Sequence, residues 1–387
     1  MLTACNGAST SPAAESAPVS ASTTPNSMSI VIDGAYGSIN VPFVSVTVCI
    51  PGSTTCQTID HVLVDTASYG LRVIGPAVLN AEIMLPPVQT STNAYLGECV
   101  AFADGFTWGS VHYADVKLAG EVASNIPIQV IGANPGGYTG IPTDCSGTGA
   151  AENTVATLGA KGILGVGMFQ NDCEACLHSV TPATYYSCTA SACNGTVVTA
   201  NQMVRNPVAS FAQDNNGVMV SFPAVGYGGA TSLTGSLVFG IGTQNNNALG
   251  SSTVFVANNQ GNIFTTYKGN TMPAFIDSGS NAYFFDDSAI PLCRLSTSFY
   301  CPPNPLVLTA TNMPGIGSNP VASVTFSIVH LDNLPNGTSA AHVGGPALAF
   351  SGQTFFDWGA PFFFGKSVFT ALEGRATPAG NGPYLAY

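Results

Sequence analysis

Two short stretches of this chain carry residues able to do chemistry together. Val62-Leu63-Val64-Asp65-Thr66-Ala67-Ser68 and Ala274-Phe275-Ile276-Asp277-Ser278-Gly279-Ser280 each run an apolar strand into an Asp-Thr/Ser-small-Ser turn. Each is followed, at similar distance, by an apolar-apolar-Gly segment: Ile163-Leu164-Gly165 and Phe363-Phe364-Gly365. One such turn arises easily by chance, whereas two with matching partners indicate a duplicated unit. Duplication sets Asp65 and Asp277 facing each other across one cleft. Two carboxyl groups about 3 Å apart cannot both ionise, so they share a proton. One can then activate a water as base while the other serves as acid.

The elements that must position this pair are strands. Ser29–Ile32, Val44–Ile50, His61–Val64, Val111–Leu118, Ile126–Ile131, Val218–Phe222, Leu237–Gly240, Thr253–Val256 and Val324–Val329 all read as short strands split by Gly and Pro turns. Helical periodicity is scarce, and its best candidates are Val204–Asp214 and Ser367–Glu373. The fold class is therefore all-β. Residues 1–27 read as a Ser/Thr/Pro/Ala-rich tether, 28–216 as a first lobe and 217–387 as a second.

Composition narrows the function classes. Of 387 residues only 7 % are charged, against roughly 25 % in ordinary soluble domains, and the net charge is −12 with eight Lys and Arg. No basic patch can form, so nucleic acid and anionic lipid surfaces are excluded as partners. No apolar run is long enough to span a membrane. Leu2-Thr3-Ala4-Cys5 has the form of a lipobox, in which Cys5 would be diacylated; the plain alternative is a disordered tail that contains a cysteine. Lipidation at Cys5 would be the sole membrane attachment, on a protein exported to a bacterial envelope.

Of the eleven cysteines, setting Cys5 aside leaves ten, enough for five disulfides. Cys49 with Cys56 and Cys293 with Cys301 would each close a short loop, and Cys99 pairs with Cys145 across the first half. Cys173, Cys176, Cys188 and Cys193 form a cluster that could bind zinc. In an oxidising compartment two disulfides are expected there instead, with connectivity left open and no metal assigned. The five histidines are scattered, and only His178 lies beside the cysteine cluster. No serine-hydrolase elbow or phosphate-binding loop occurs, and no cofactor is expected. Asp286 and Asp287 read as a solvated turn, and Phe362-Phe363-Phe364 as core.

These motifs resemble the pepsin-like aspartic peptidases over most of the chain beyond the tether. VLVDTASYGLRV (62–73) and AFIDSGSNAYFF (274–285) are similar to that family's two active-site strands and turns. Lys161–Gly167 resembles the segment threading beside the first loop, Gly235–Gly240 the strand beginning the second lobe's sheet, and Phe362–Phe369 the final threading segment. Asp357-Trp358-Gly359 and the closing Gly382-Pro383-Tyr384 also resemble a group of bacterial exported proteins sharing this pattern. The resemblance implies a bilobal fold and Asp65 and Asp277 as the catalytic pair. It implies that Ser68 and Ser280 hydrogen-bond the outer carboxylate oxygens, while Thr66 and Ser278 cross-link the loops. Small residues at Ala67 and Gly279 would let the backbone present its N–H groups.

The sequence departs from the family pattern at three places. Ala67 replaces a preferred Gly. The flap stretch Val100–Gly109 lacks a Tyr, leaving Phe102, Phe106 or Trp108 to cover the cleft. Arg72 replaces a large aromatic and sets a cation near it. The reading is a monomeric exported endopeptidase acting on proteins or peptides; its rival is a non-catalytic module that binds a peptide, polysaccharide or protein partner in the same cleft.

Overall fold

A computed structural model describes residues 25–387 apart from 77, 139, 348, 351 and 352. Cys5 and most of the tether lie outside the described residues. Strands dominate, and among the described residues the α-helical content is two single turns, Thr143–Ser146 and Val155–Leu158. Alternating burial explains the strands: along Ala322–Ile328, Val324, Phe326 and Ile328 point inward while Ser323 and Thr325 face solvent. All nine strands expected from sequence form.

Both helical expectations fail. Ser367–Ala371 is a strand, hydrogen-bonded between Gly217–Ser221 and Tyr384–Ala386. Pairing on both edges and burial of Val368 through Ala371 override a local pattern that fits either period. Within Val204–Asp214 only Pro207–Ser210 coils, as one 3₁₀ turn capped by the Asn206 side chain.

Each half holds the same three-strand unit. In the first, Cys56–Asp65 lies parallel to Gly162–Val166, which pairs antiparallel with Tyr69–Ile74. In the second, Asn270–Ile276 lies parallel to Phe356–Trp358, which pairs antiparallel with Tyr283–Phe284. The segment threading beside Asp277 is thus Asp357-Trp358-Gly359, not Phe363-Phe364-Gly365 as the apolar-apolar-Gly pattern suggested. Glycine is required at both crossings. A Cβ at Gly165 would lie 2.6 Å from the Tyr69 nitrogen, and one at Gly359 would lie 2.0 Å from the Ala282 oxygen.

Ser27–Ile32 pairs with Leu233–Phe239, so the 16-stranded sheet runs from the first half into the second, while a seven-stranded sheet belongs to the second alone. One apolar core is continuous from Ile30 to Leu385. Its second-half portion is aromatic, with Phe356 at 4.3 Å from Trp358 and stacked at 5.2 Å on Phe285. Full burial of each such ring contributes about 1.5–3 kcal/mol. Phe362, Phe363 and Phe364 are core residues, as expected. The architecture is all-β and two-lobed, as the pepsin-like resemblance implies.

Five disulfides staple it: Cys49–Cys56, Cys99–Cys145, Cys293–Cys301, and, within the cluster, Cys173–Cys176 and Cys188–Cys193. All four cluster sulfurs are consumed by disulfides rather than presented as a zinc-binding set. Such bonds are the mark of an extracellular or periplasmic protein. Among the described residues no helix is long and apolar enough to cross a membrane.

Candidate active site

The two units meet at the ends of the strands that carry Asp65 and Asp277. Thr66 donates its hydroxyl to the Ile276 carbonyl at 2.9 Å, and Ser278 donates to the Val64 carbonyl at 2.7 Å. The Ser278 backbone N–H donates in turn to Thr66 Oγ1 at 2.9 Å. These bonds are buried and reciprocal, so each loop fixes the position of the other. Both carboxyl groups lie against Gly279, where a Cβ would sit 3.2 Å from Asp65 Oδ1 and 3.1 Å from Asp277 Oδ1.

Each carboxylate is cradled by its own turn. Asp65 Oδ1 accepts from the N–H groups of Ala67 (2.8 Å) and Ser68 (3.1 Å), and its Oδ2 accepts from the Ser68 hydroxyl at 2.5 Å. Asp277 Oδ1 accepts from the Gly279 N–H at 2.7 Å, and its Oδ2 from the Ser280 hydroxyl at 3.0 Å. The Asp277 carboxyl is pushed well above the usual carboxylate range, first by burial and then by the charges of Asp65 and Asp357. Asp65 and Asp277 line the same cavity.

The turns differ in one methyl. A Cβ at Gly279 would lie 2.9 Å from Asp65 Cγ, so the second loop admits none. The first loop carries the Ala67 methyl and still donates its N–H to Asp65.

A cavity of about 870 Å³ opens over the pair. The hairpin of Tyr95–Ala101 and Gly105–Leu118 closes one side, and Val100 through Ala103 line the space. Of the three aromatics expected to cover the cleft, only Phe102 at the hairpin turn does so. Phe106 and Trp108 are 2 % and 6 % exposed in a separate cluster, where Trp108 packs edge-on against Tyr138 and Tyr186. Strand alternation puts both on the face away from the cleft, beside the Cys99–Cys145 disulfide. Tyr69 and Tyr185 line the cavity instead, Tyr69 set edge-on to Phe169.

Arg72 does not present a free cation. It is 1 % exposed; Nη2 binds Glu98 at 2.9 Å and Asp172 at 3.0 Å, and Nη1 donates to the Tyr69 carbonyl at 2.6 Å. Tyr185 completes the cluster by donating to Asp172 at 2.7 Å. Burial raises the Glu98 carboxyl, which Arg72 partly offsets. Glu98, Asp172 and Asp357 all line the cavity; Glu98 and Asp172 stand in no recognisable sequence motif, and Asp357 opens the Asp357-Trp358-Gly359 string. Asp287, expected in solvent, is buried: Tyr267 donates to it at 2.7 Å and Lys268 pairs with it at 2.8 Å. Asp286 beside it is exposed. His178 is exposed at the end of a 3₁₀ turn.

Residues 22–387 match the profile of a family described as "Protein of unknown function (DUF3443)". No curated protein matches the sequence. Among solved structures, an aspartic proteinase from Irpex lacteus aligns with 93 % of this chain and 96 % of its own, at 17 % identity and a TM-score of 0.48.

Proposed function

The chain belongs to the DUF3443 family, and we propose that it is an exported aspartic endopeptidase that hydrolyses peptide bonds with water activated between Asp65 and Asp277. The observation that carries this reading is the reciprocal grip of Thr66 and Ser278, which holds two cradled carboxyl groups at the floor of a peptide-sized cavity. One ionised carboxylate takes a proton from water as it attacks the carbonyl carbon. The protonated partner donates to the carbonyl oxygen, and the leaving nitrogen is protonated as the tetrahedral intermediate collapses. Ser68 and Ser280 fix the outer oxygens, so the shared proton stays between the inner ones. The lobes, taken as 28–216 and 217–387, close on the substrate from either side. The hairpin tip at Phe102 covers it and excludes water. The protein works as a monomer, in the envelope of a bacterium, and is anchored by a lipid on Cys5.

The test is cleavage of a denatured protein substrate by the full chain between pH 3 and 7, with products identified by mass spectrometry. Asp65→Asn and Asp277→Asn should each reduce turnover by at least about 10³-fold, as loss of the base or the acid does. Full activity in either variant refutes the reading. Ala67 and the absence of a tyrosine from the hairpin tip favour a second reading, a cleft that binds peptides without cutting them. Measurable turnover in the native protein excludes it.

A further inference from the structure

The wall of the cleft formed by the second lobe differs chemically from its counterpart. In the first lobe Ile163 sits opposite Leu63 and Arg72 in the strand register; in the second, Asp357 sits opposite Phe275 and Phe284. Asp357 thus stands beside the pair at the position equivalent to an isoleucine. It is 6 % exposed and lines the cavity, and its Oδ1 has no hydrogen-bond partner among the described residues. Ser280 lies within reach, but its single hydroxyl proton is given to Asp277 Oδ2 at 3.0 Å. A buried polar group without a partner is destabilising, and it is resolved when a ligand brings a donor.

The rest of the cavity points to which donor. Its wall holds Asp65, Glu98, Asp172, Asp277 and Asp357 against a single cation, Arg72, already committed to Glu98 and Asp172. Beside Asp357 lie Phe275, Phe284 and Phe355, with the Phe275 and Phe355 rings 5.8 Å apart. A carboxyl group framed by aromatic faces suits a long aliphatic stem ending in a positive charge. The stem packs on the rings, and the head group supplies hydrogen-bond donors and a positive charge that favours ionisation of a carboxyl that burial otherwise pushes well above the usual range. We propose that Asp357 and these aromatics form a subsite for a basic side chain, lysine or arginine, of the peptide held in the cleft. The inference deepens the peptidase reading and rests on the cleft accepting a peptide; Asp357 sets specificity rather than performing the reaction.

The experiment uses the full chain and fluorescein-labelled hexapeptide pools in which each position in turn is fixed as lysine, arginine, norleucine or glutamate. Anisotropy at pH 6 reads binding, and mass spectrometry of the same pools reads cleavage. At one position the lysine and arginine pools should bind about tenfold more tightly than the norleucine pool. Asp357→Leu should reverse that order. Asp357→Asn, the same shape without the charge, should abolish the preference and serves where Asp357→Leu does not fold. Equal affinity for lysine and norleucine pools at every position overturns the proposal, as does a preference unchanged in Asp357→Asn. Lysine-selective binding without cleavage leaves the subsite standing and overturns the peptidase reading. Cleavage without basic preference does the reverse.

Discussion

The two halves of this protein use one scaffold for two differently charged walls. In both, a parallel strand pair ends at an aspartate, a glycine crosses beside it, and hydroxyls tie the loops together. Seven residues after each aspartate the register places Arg72 in the first half and Phe284 in the second, and across from them Ile163 and Asp357. The walls differ in charge: a cation with its own counter-ions on one, and on the other a carboxyl whose Oδ1 has no hydrogen-bond partner among the described residues. The comparison teaches where the unit is rigid and where it is free. Glycine crossings and hydroxyl grips admit no substitute, because backbone passes within contact distance. The strand positions beside the cavity differ between the halves, Ile163 and Arg72 in the first and Asp357 and Phe284 in the second.

The largest expected effect comes from breaking the charged wall. Arg72→Met leaves Glu98 and Asp172 buried without their cation, and should cost about 3–5 kcal/mol at neutral pH. The equivalent Phe284→Met, a swap between apolar residues of similar size, should cost less than about 1.5 kcal/mol. Chemical denaturation of both variants checks the contrast; similar losses would mean that the walls are not distinct.

The turns offer a sharper pair. Gly279→Ala forces a methyl to within 2.9 Å of Asp65 Cγ and should lower turnover about 10²-fold, since small displacements of reacting groups are costly. Ala67→Gly should change turnover by no more than about threefold, because the first loop already makes its N–H bond. A similar collapse in both would show the loops to be equally constrained. Loosening the grip follows in size: Thr66→Val removes one buried donor and strands the Ser278 N–H, at about 1–3 kcal/mol by thermal melting.

The smallest effect lies beside the hairpin, where the Glu152 backbone N–H donates to the Phe106 carbonyl. Burial, then the charge of Asp104, pushes the Glu152 carboxyl from its ordinary 4.5 up to about 7. In the unfolded chain this group ionises first. Its contribution to stability is therefore fully present below about pH 4.5, falls as pH rises through 7, and levels beyond. Glu152→Gln should flatten that part of the stability–pH curve, measured by denaturation at half-unit steps. An unchanged slope would assign the fall to other carboxyls.

The strands, the paired Asp turns and two of the disulfides were legible because they are local or repeated. Cys49–Cys56 and Cys293–Cys301 close short loops, and alternation marks each strand without reference to its partner. What was missed depends on distant partners. Glu98 and Asp172 come from segments remote from Arg72, so the sequence shows a lone cation where the fold buries a cluster. The second crossing was misplaced because Phe363-Phe364-Gly365 fits an apolar-apolar-Gly pattern and Asp357-Trp358-Gly359 does not. The residue that broke the pattern is the one that gives the second wall its character. Phe106 and Trp108 were assigned to the cleft because hairpin position is readable, while the face each residue takes depends on the packing around Cys99–Cys145.

The central claim is that two lobes deliver two carboxyl groups into one proton-sharing pair, and its most direct measurement is carboxyl ¹³C NMR of aspartate-labelled protein titrated from pH 2 to 9. The Asp277 signal, assigned through Asp277→Asn, should titrate well above the ordinary value near 3.9, and Asp65→Asn should bring it down. An Asp277 titration close to 3.9, or one unaffected by loss of Asp65, would contradict the account.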